Sequence, residues 1–117
     1  FGKGSGYRAS RELLQLENPI TAIFASNDAM ALGAMDAIRE AGLRIPQDIS
    51  IIGFDDIPEA DNTYPKLTTV HQPLEEMGRV GVKLLLEQIE YPENVQKNIT
   101  LATNLIIRDS CQPLMRE

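Results

Sequence analysis

The sequence predicts an α/β fold, with three αβα layers around a mainly parallel sheet, and three observations carry that prediction. Two short apolar runs, 20–25 and 49–54, each end in a polar cluster that bears a carboxylate, Ser26-Asn27-Asp28 and Asp55-Asp56. Continuous apolar runs of this length are the mark of strands buried in a parallel sheet. The stretch between them, Ala29 to Ala41, has helical length and is rich in small apolar residues, so strand, helix and strand form one βαβ unit with a right-handed crossover. Finally, 117 residues with 43% hydrophobic content suit one globular domain, or one lobe of something larger, and are too apolar for a disordered chain.

Taken in order, Ser5 is placed to cap a first helix that runs through Leu16, with Leu13, Leu14 and Leu16 as its apolar residues and Asn18-Pro19 as its stop. The strand from Ile20 to Ala25 follows at once. Asp28 is placed to cap the second helix, and Gly42 supplies the left-handed residue that ends it. Ala31, Gly33, Ala34 and Ala37 allow close packing along that helix. Pro46 and Asp48 turn the chain into the strand Ile49 to Phe54. Two prolines and several polar residues make 57–66 a loop or one short helix, and Leu67 to Val70 reads as a third strand. Pro73 opens the longest helix, to about Glu90, with Leu74, Met77, Gly81, Leu84, Leu85 and Ile89 at helical spacing on a face that is expected to be covered. A polar link, 91–98, leads to a last strand from Ile99 to about Ile107, and Arg108-Asp109-Ser110 is read as the start of a polar tail.

Composition excludes several classes of function. A net charge of −6 is unsuited to gripping a phosphate backbone, because nucleic-acid affinity depends on clustered Lys and Arg. The single cysteine, Cys111, has no internal disulfide partner and fits a reducing, cytoplasmic setting. No run approaches the ~18 apolar residues of a membrane span, so no membrane association is expected. Catalytic and metal motifs are missing too: there is one histidine, no Cys/His cluster, no G-x-S-x-G elbow and no H-E-x-x-H pair. No catalytic residue, metal or cofactor is therefore assigned. Gly2-Lys3-Gly4-Ser5-Gly6 lacks both the Walker spacing and a preceding strand, and reads as a lead into a capped helix.

The candidate binding residues lie where the two strands end. Open α/β sheets bind small molecules in the crevice beyond the carboxyl ends of their strands, which places Asn27 and Asp55 at one site. A carboxylate accepts charge-assisted hydrogen bonds, and an amide both donates and accepts, so the pair suits a hydroxylated ligand. For Asp55 the alternatives are acid–base chemistry, metal ligation or helix capping; for Asn27 the alternative is a turn residue at a strand end. Asp56 is expected to organise the loop that follows, and His71 to be a structural residue lining a hinge.

The text around these positions resembles the LacI/GalR family of bacterial transcriptional regulators. The resemblance rests on Thr21-Ala22-Ile23-Phe24-Ala25-Ser26-Asn27-Asp28-Ala29-Met30-Ala31-Leu32-Gly33 and Asp48-Ile49-Ser50-Ile51-Ile52-Gly53-Phe54-Asp55-Asp56. It continues through Pro65-Lys66-Leu67-Thr68-Thr69-Val70-His71-Gln72-Pro73, Met77-Gly78 and Leu84-Leu85 to Leu105-Ile106-Ile107-Arg108-Asp109-Ser110-Cys111, in the family's order and spacing. It implies a periplasmic-binding-protein-like core of two lobes that close on a sugar, sugar phosphate or nucleobase. It also implies that this chain is the C-terminal part of that core, with 1–72 and 99–117 mostly in the second lobe and 73–98 in the first. The DNA-binding domain has no counterpart here.

The resemblance further assigns ligand contacts to Asn27 and Asp55, an aromatic stacking face to Phe1 and, less directly, a pocket-lining place to Leu74. Leu32, Met35 and Thr63 fall in regions that form the family's dimer interface. The function so implied is effector sensing and homodimerisation within a cytoplasmic repressor of carbohydrate-utilisation genes that binds operator DNA, and no enzyme activity. The alternative is a sugar-binding protein of a transport system with the same fold.

Overall fold

The computed structural model describes residues 1–115. Helix α1 (Lys3–Leu14) leads into strand β1 (Ala22–Phe24), helix α2 (Asp28–Glu40) and strand β2 (Ser50–Ile52). After a short 3-10 helix (Pro58–Asp61) come strand β3 (Thr69–His71), helix α3 (Leu74–Glu90) and strand β4 (Asn104–Ile106). β1 and β2 pair in parallel with Ile23 opposite Ile51, and β3 and β4 pair antiparallel with His71 opposite Asn104. Parallel bridges from Ile52 to Thr68 and from Asp55 to His71 join the two pairs. The strand order is thus β1-β2-β3-β4, parallel except at its last member.

The βαβ unit formed as the apolar runs require. Ile23 and Ile51, at the centres of β1 and β2, are buried against Ala31, Ala34, Met35 and Ile38 of α2, with Ala60 and Leu67 closing the cluster. Ala22 and Phe24, which flank Ile23 and point the other way, are exposed. Helices therefore cover one face of β1 within the described residues.

α1 seats on α2 through glycine. A β-carbon on Gly33 would overlap the carbonyl oxygen of Lys3, and one on Gly6 would overlap the carbonyl of Met30, so the two backbones touch directly. Of the small residues along α2, Gly33 seats α1, while Ala31 and Ala34 pack in the core against the sheet. Outside this contact Tyr7 donates a hydrogen bond to Glu40, and Lys3 pairs with Asp36 at 3.1 Å.

Several boundaries differ from expectation, each for a local reason. α1 starts at Lys3 with Gly2 in the capping position, and Ser5, instead of capping, donates to the Gly2 carbonyl from inside the first turn. α2 is capped by Asn27, whose Oδ1 accepts from the Met30 amide at 2.8 Å; Asp28 is the first helical residue and points inward. Gly42 does adopt a positive φ of 77° just past the end of α2. The last strand is shorter than 99–107, because β3 offers only three residues for pairing, and Ile99 and Leu101 lie instead along Met77, Val80, Gly81 and Leu84 of α3.

Arg108-Asp109-Ser110 is not the start of a polar tail. Ser110 is fully buried, its hydroxyl donates to the Ile51 carbonyl at 2.6 Å and accepts from the Thr68 amide at 2.8 Å, and its carbonyl accepts from the Ile51 amide. These bonds rivet the C-terminal segment across β2 and the start of β3.

Among the described residues the apolar face of α3 is covered only in part, where Ile99 and Leu101 lie along it. No residue of the helix is buried, and Leu85 and Ile89 are 60% and 66% exposed. The molecule is accordingly elongated, 60 × 25 × 24 Å, with α3 and its return segment forming an arm. Among the described residues no helix is long and apolar enough to cross a membrane.

Gly33→Ala should force α1 and α2 apart, and overpacking of this kind costs about 1–3 kcal/mol. The urea midpoint of the variant is expected to fall with an unchanged m-value; an unaltered midpoint would show that the backbones can separate without loss.

Candidate functional site

The carboxyl edge of the sheet is where the polar clusters converge. β1 ends into Asn27, β2 into Asp55 and Asp56, and β3 into His71 and Gln72. The strand ends are sewn together by backbone hydrogen bonds: Asp28 N–H to the Phe54 carbonyl, and Asp55 N–H to the Val70 carbonyl, both at 2.9 Å.

Asn27 spends one side of its amide on capping α2 and donates the other to the Phe1 carbonyl at 3.0 Å. That bond brings Phe1, 96% exposed and free to stack, to the same edge as Asn27. Asp55 is half-buried, and its Oδ1 accepts from the Gln72 side-chain amide at 2.6 Å, while Oδ2 keeps its acceptor capacity. Asn27 and Asp55 thus stand at the ends of neighbouring strands, with the Phe1 backbone tied to Asn27.

Both aspartates after β2 have positive φ, 118° at Asp55 and 61° at Asp56. Such a conformation costs a non-glycine residue ~1–3 kcal/mol and persists only where the surroundings over-determine it. They do so here. Asp56 Oδ1 accepts from the Arg108 guanidinium at 2.7 Å, and its Oδ2 lies 2.8 Å from His71 Nδ1. Burial pushes the Asp56 carboxyl up, but the hydrogen bonds from Arg108 and His71 outweigh it and hold the group below the usual carboxylate range. Arg108 also donates to the Leu67 carbonyl at 2.9 Å and lies 3.6 Å from Asp61.

On the inner side, Asp28 is fully buried. Its Oδ1 accepts from the Thr69 hydroxyl at 2.6 Å and its Oδ2 from the Ile57 amide at 2.9 Å. Gly53 is glycine because a β-carbon there would overlap Asp28 Oδ1.

The remaining assignments lie away from this edge. Leu32 is half-buried on α2, and Thr63, beyond the 3-10 helix, donates to the Pro65 carbonyl at 2.8 Å. Met35 needs correction as an interface residue: at 1% exposure it fills the core between α2 and the sheet and presents no surface to a partner. Leu74 lines an open cleft with His71, Pro73 and Arg79. Residues that the sequence did not single out, Arg108, Gln72 and Thr69, prove to hold the aspartates in place. The available signal for Arg108 was a lone cation closing an apolar run, opposite two adjacent carboxylates. Among the described residues no cluster of three or more His, Cys, Asp or Glu is placed to hold a metal ion.

The carboxyl ends of three neighbouring strands thus bring Asn27, Asp55, Asp56, His71 and Gln72 to one edge of an α/β sheet. The chain belongs to the periplasmic binding protein-like domain family, which matches residues 2–111. It is 47% identical over 110 residues to the Probable HTH-type transcriptional repressor ExuR of Bacillus subtilis, covering 94% of this chain and 33% of that protein. A crystal structure of a LacI family transcriptional regulator from Enterococcus faecium with bound ribose superposes with a TM-score of 0.89 at 41% identity, over 98% of this chain and 42% of that one. The Lac repressor dimer bound to operator and the anti-inducer ONPF gives 0.84 at 36% identity, over 94% and 40%. The chain spans about a third of the length of the curated relatives it matches.

Two outcomes are expected of this geometry. Asp28→Ala leaves the Thr69 hydroxyl and the Ile57 amide without their acceptor, and each unsatisfied buried group costs about 1–3 kcal/mol; the loss is read in urea unfolding, and a change under 1 kcal/mol would show that the loop and β3 do not depend on this carboxylate. Because the Asp56 pKa is lowered on folding, its stabilisation is complete above the ordinary carboxylate value near ~4 and is lost as pH falls through the lower folded value. Melting temperature followed from pH 7 to pH 3 should fall less steeply in Asp56→Asn than in the parent; parallel curves would remove Asp56 from the acid response.

Proposed function

We propose that this chain is the effector-sensing and dimerising part of a cytoplasmic, DNA-binding transcriptional repressor of carbohydrate-utilisation genes. In this reading two lobes close on a small sugar-like ligand. Residues 1–72 and 99–117 belong mostly to the second lobe and 73–98 to the first. The observation that supports it is the position of Asn27 and Asp55 at the ends of neighbouring strands, with the exposed Phe1 tied to Asn27 through its carbonyl. The reading gains support from the ribose bound by a regulator 41% identical, and from the repressor descriptions of the relatives, which favour a regulator over a transport protein or an enzyme. The exposed part of the α3 face, Leu85 and Ile89 included, supports its assignment to the other lobe, since an apolar helix face needs a covering partner.

Asp55 takes a hydroxyl of the ligand on its open oxygen, Asn27 a second polar group, and Phe1 stacks on the ring. Homodimerisation uses the region of Leu32 and Thr63, and operator binding a separate domain. The ligand changes DNA affinity only as far as it prefers one arrangement of the lobes over the other.

The test is a thermal-shift screen of the full-length repressor against pentoses, hexoses, their phosphates, nucleosides and purines, repeated with Asp55→Ala. A ligand at ~100 times its Kd stabilises the native state by about 2.7 kcal/mol, enough to raise the melting temperature by several degrees. A sugar that stabilises the parent is expected to lose that effect in Asp55→Ala, while operator binding in the absence of effector is retained. A sugar whose affinity is unchanged in the variant would remove Asp55 from the site.

A further inference from the structure

We infer that Arg108 is a positioning residue for the candidate ligand site: by holding Asp56 it keeps Asp55 in its left-handed conformation, with the carboxylate at the sheet edge. The inference rests on the reading of Asp55 as a ligand-binding carboxylate, and it assigns a site function to a side chain far away in the sequence that lies behind that edge.

The turn 54–57 is held from two sides. Its shoulders are fixed by one residue, since Phe54 accepts from the Asp28 amide and Ile57 donates to the Asp28 carboxylate. Those bonds fix where the turn begins and ends, but leave the two φ angles inside it to other contacts. Asp55 itself is held by its amide on Val70 and by the Gln72 side chain on its Oδ1.

The second φ is set by the partners of Asp56. Adjacent residues Asp55 and Asp56 are gripped by adjacent residues Gln72 and His71, which forms a two-rung clasp between the ends of β2 and β3. His71, however, has a side chain 43% exposed, whereas Arg108 and Asp56 are each 15% exposed, so the guanidinium is the stronger and less solvated of the two bonds. Arg108 is fixed in turn by the Leu67 carbonyl, and its own amide donates to the Thr68 hydroxyl. The guanidinium therefore refers Asp56 to the rigid start of β3. Without it the left-handed turn loses the contact that offsets its strain, Asp56 relaxes, and Asp55, one bond away, turns off the edge.

Hydrogen exchange on this chain tests the assignment without a ligand, so its outcome is separate from that of the effector screen. In Arg108→Gln the amides of Asp55 and Gln72 should lose their slow exchange while Ile38, fully buried in α2, keeps its own. Arg108→Lys, which restores a cation, should recover part of the protection. Asp56→Asn, which weakens the Arg108 bond from its other end, should produce the same local loss and keeps the test available if Arg108→Gln fails to fold. Faster exchange at Ile38 in step with Asp55 would reveal a global stabilising role only and overturn the proposal, as would unchanged exchange at Asp55 in Arg108→Gln or in Asp56→Asn.

Discussion

The buried carboxylate of Asp28 is the point on which the described structure depends. It begins α2, its Oδ1 accepts from Thr69 at the start of β3, its Oδ2 accepts from Ile57 after β2, and Gly53 of the β2 segment lies against it with no room for a β-carbon. A carboxylate without solvent is tolerated only when it is well hydrogen-bonded, and a helix N-terminus adds a favourable partial charge. Both conditions hold. Because three segments far apart in sequence must arrive together to satisfy one side chain, that group rewards the correct fold and no register near it.

The site edge is built on top of this anchor, and it is built under strain. Two consecutive aspartates take positive φ where glycine would sit without cost. Glycine would abolish both the carboxylate presented at the edge and the carboxylate that binds Arg108 and His71. The fold retains the side chains and offsets their backbone cost with hydrogen bonds on every side. The same trade, in the opposite direction, appears between α1 and α2, where Gly6 and Gly33 give up side chains so that two backbones can meet.

Much of this was legible in the sequence. The apolar runs of β1 and β2, the small-residue face of α2, the positive φ of Gly42 and the placing of Asn27 and Asp55 at the ends of β1 and β2 follow from local patterns with periods the eye can read. The cap of α2 is not legible locally, because Asn27 and Asp28 are equally good caps in isolation and only the distant Thr69 and Ile57 decide that Asp28 faces inward. The burial of Arg108 and Ser110 is hidden for the same reason: their partners, Asp56 and Ile51, lie more than fifty residues away. Met35 sits at a helical position whose burial depends on where α2 meets β2, which no spacing reports. Residues whose roles are set by long-range partners leave no local pattern.

The arm carries one more implication. α3 leaves the sheet just after His71, and the chain comes back at Asn104, which is the residue paired with His71 across the ladder. The residue after His71, Gln72, is tied to Asp55 through both its amide and its side chain, so the two strands of chain that carry the arm enter the sheet beside the aspartates, and a displacement of the arm would reach Asp55 first through Gln72.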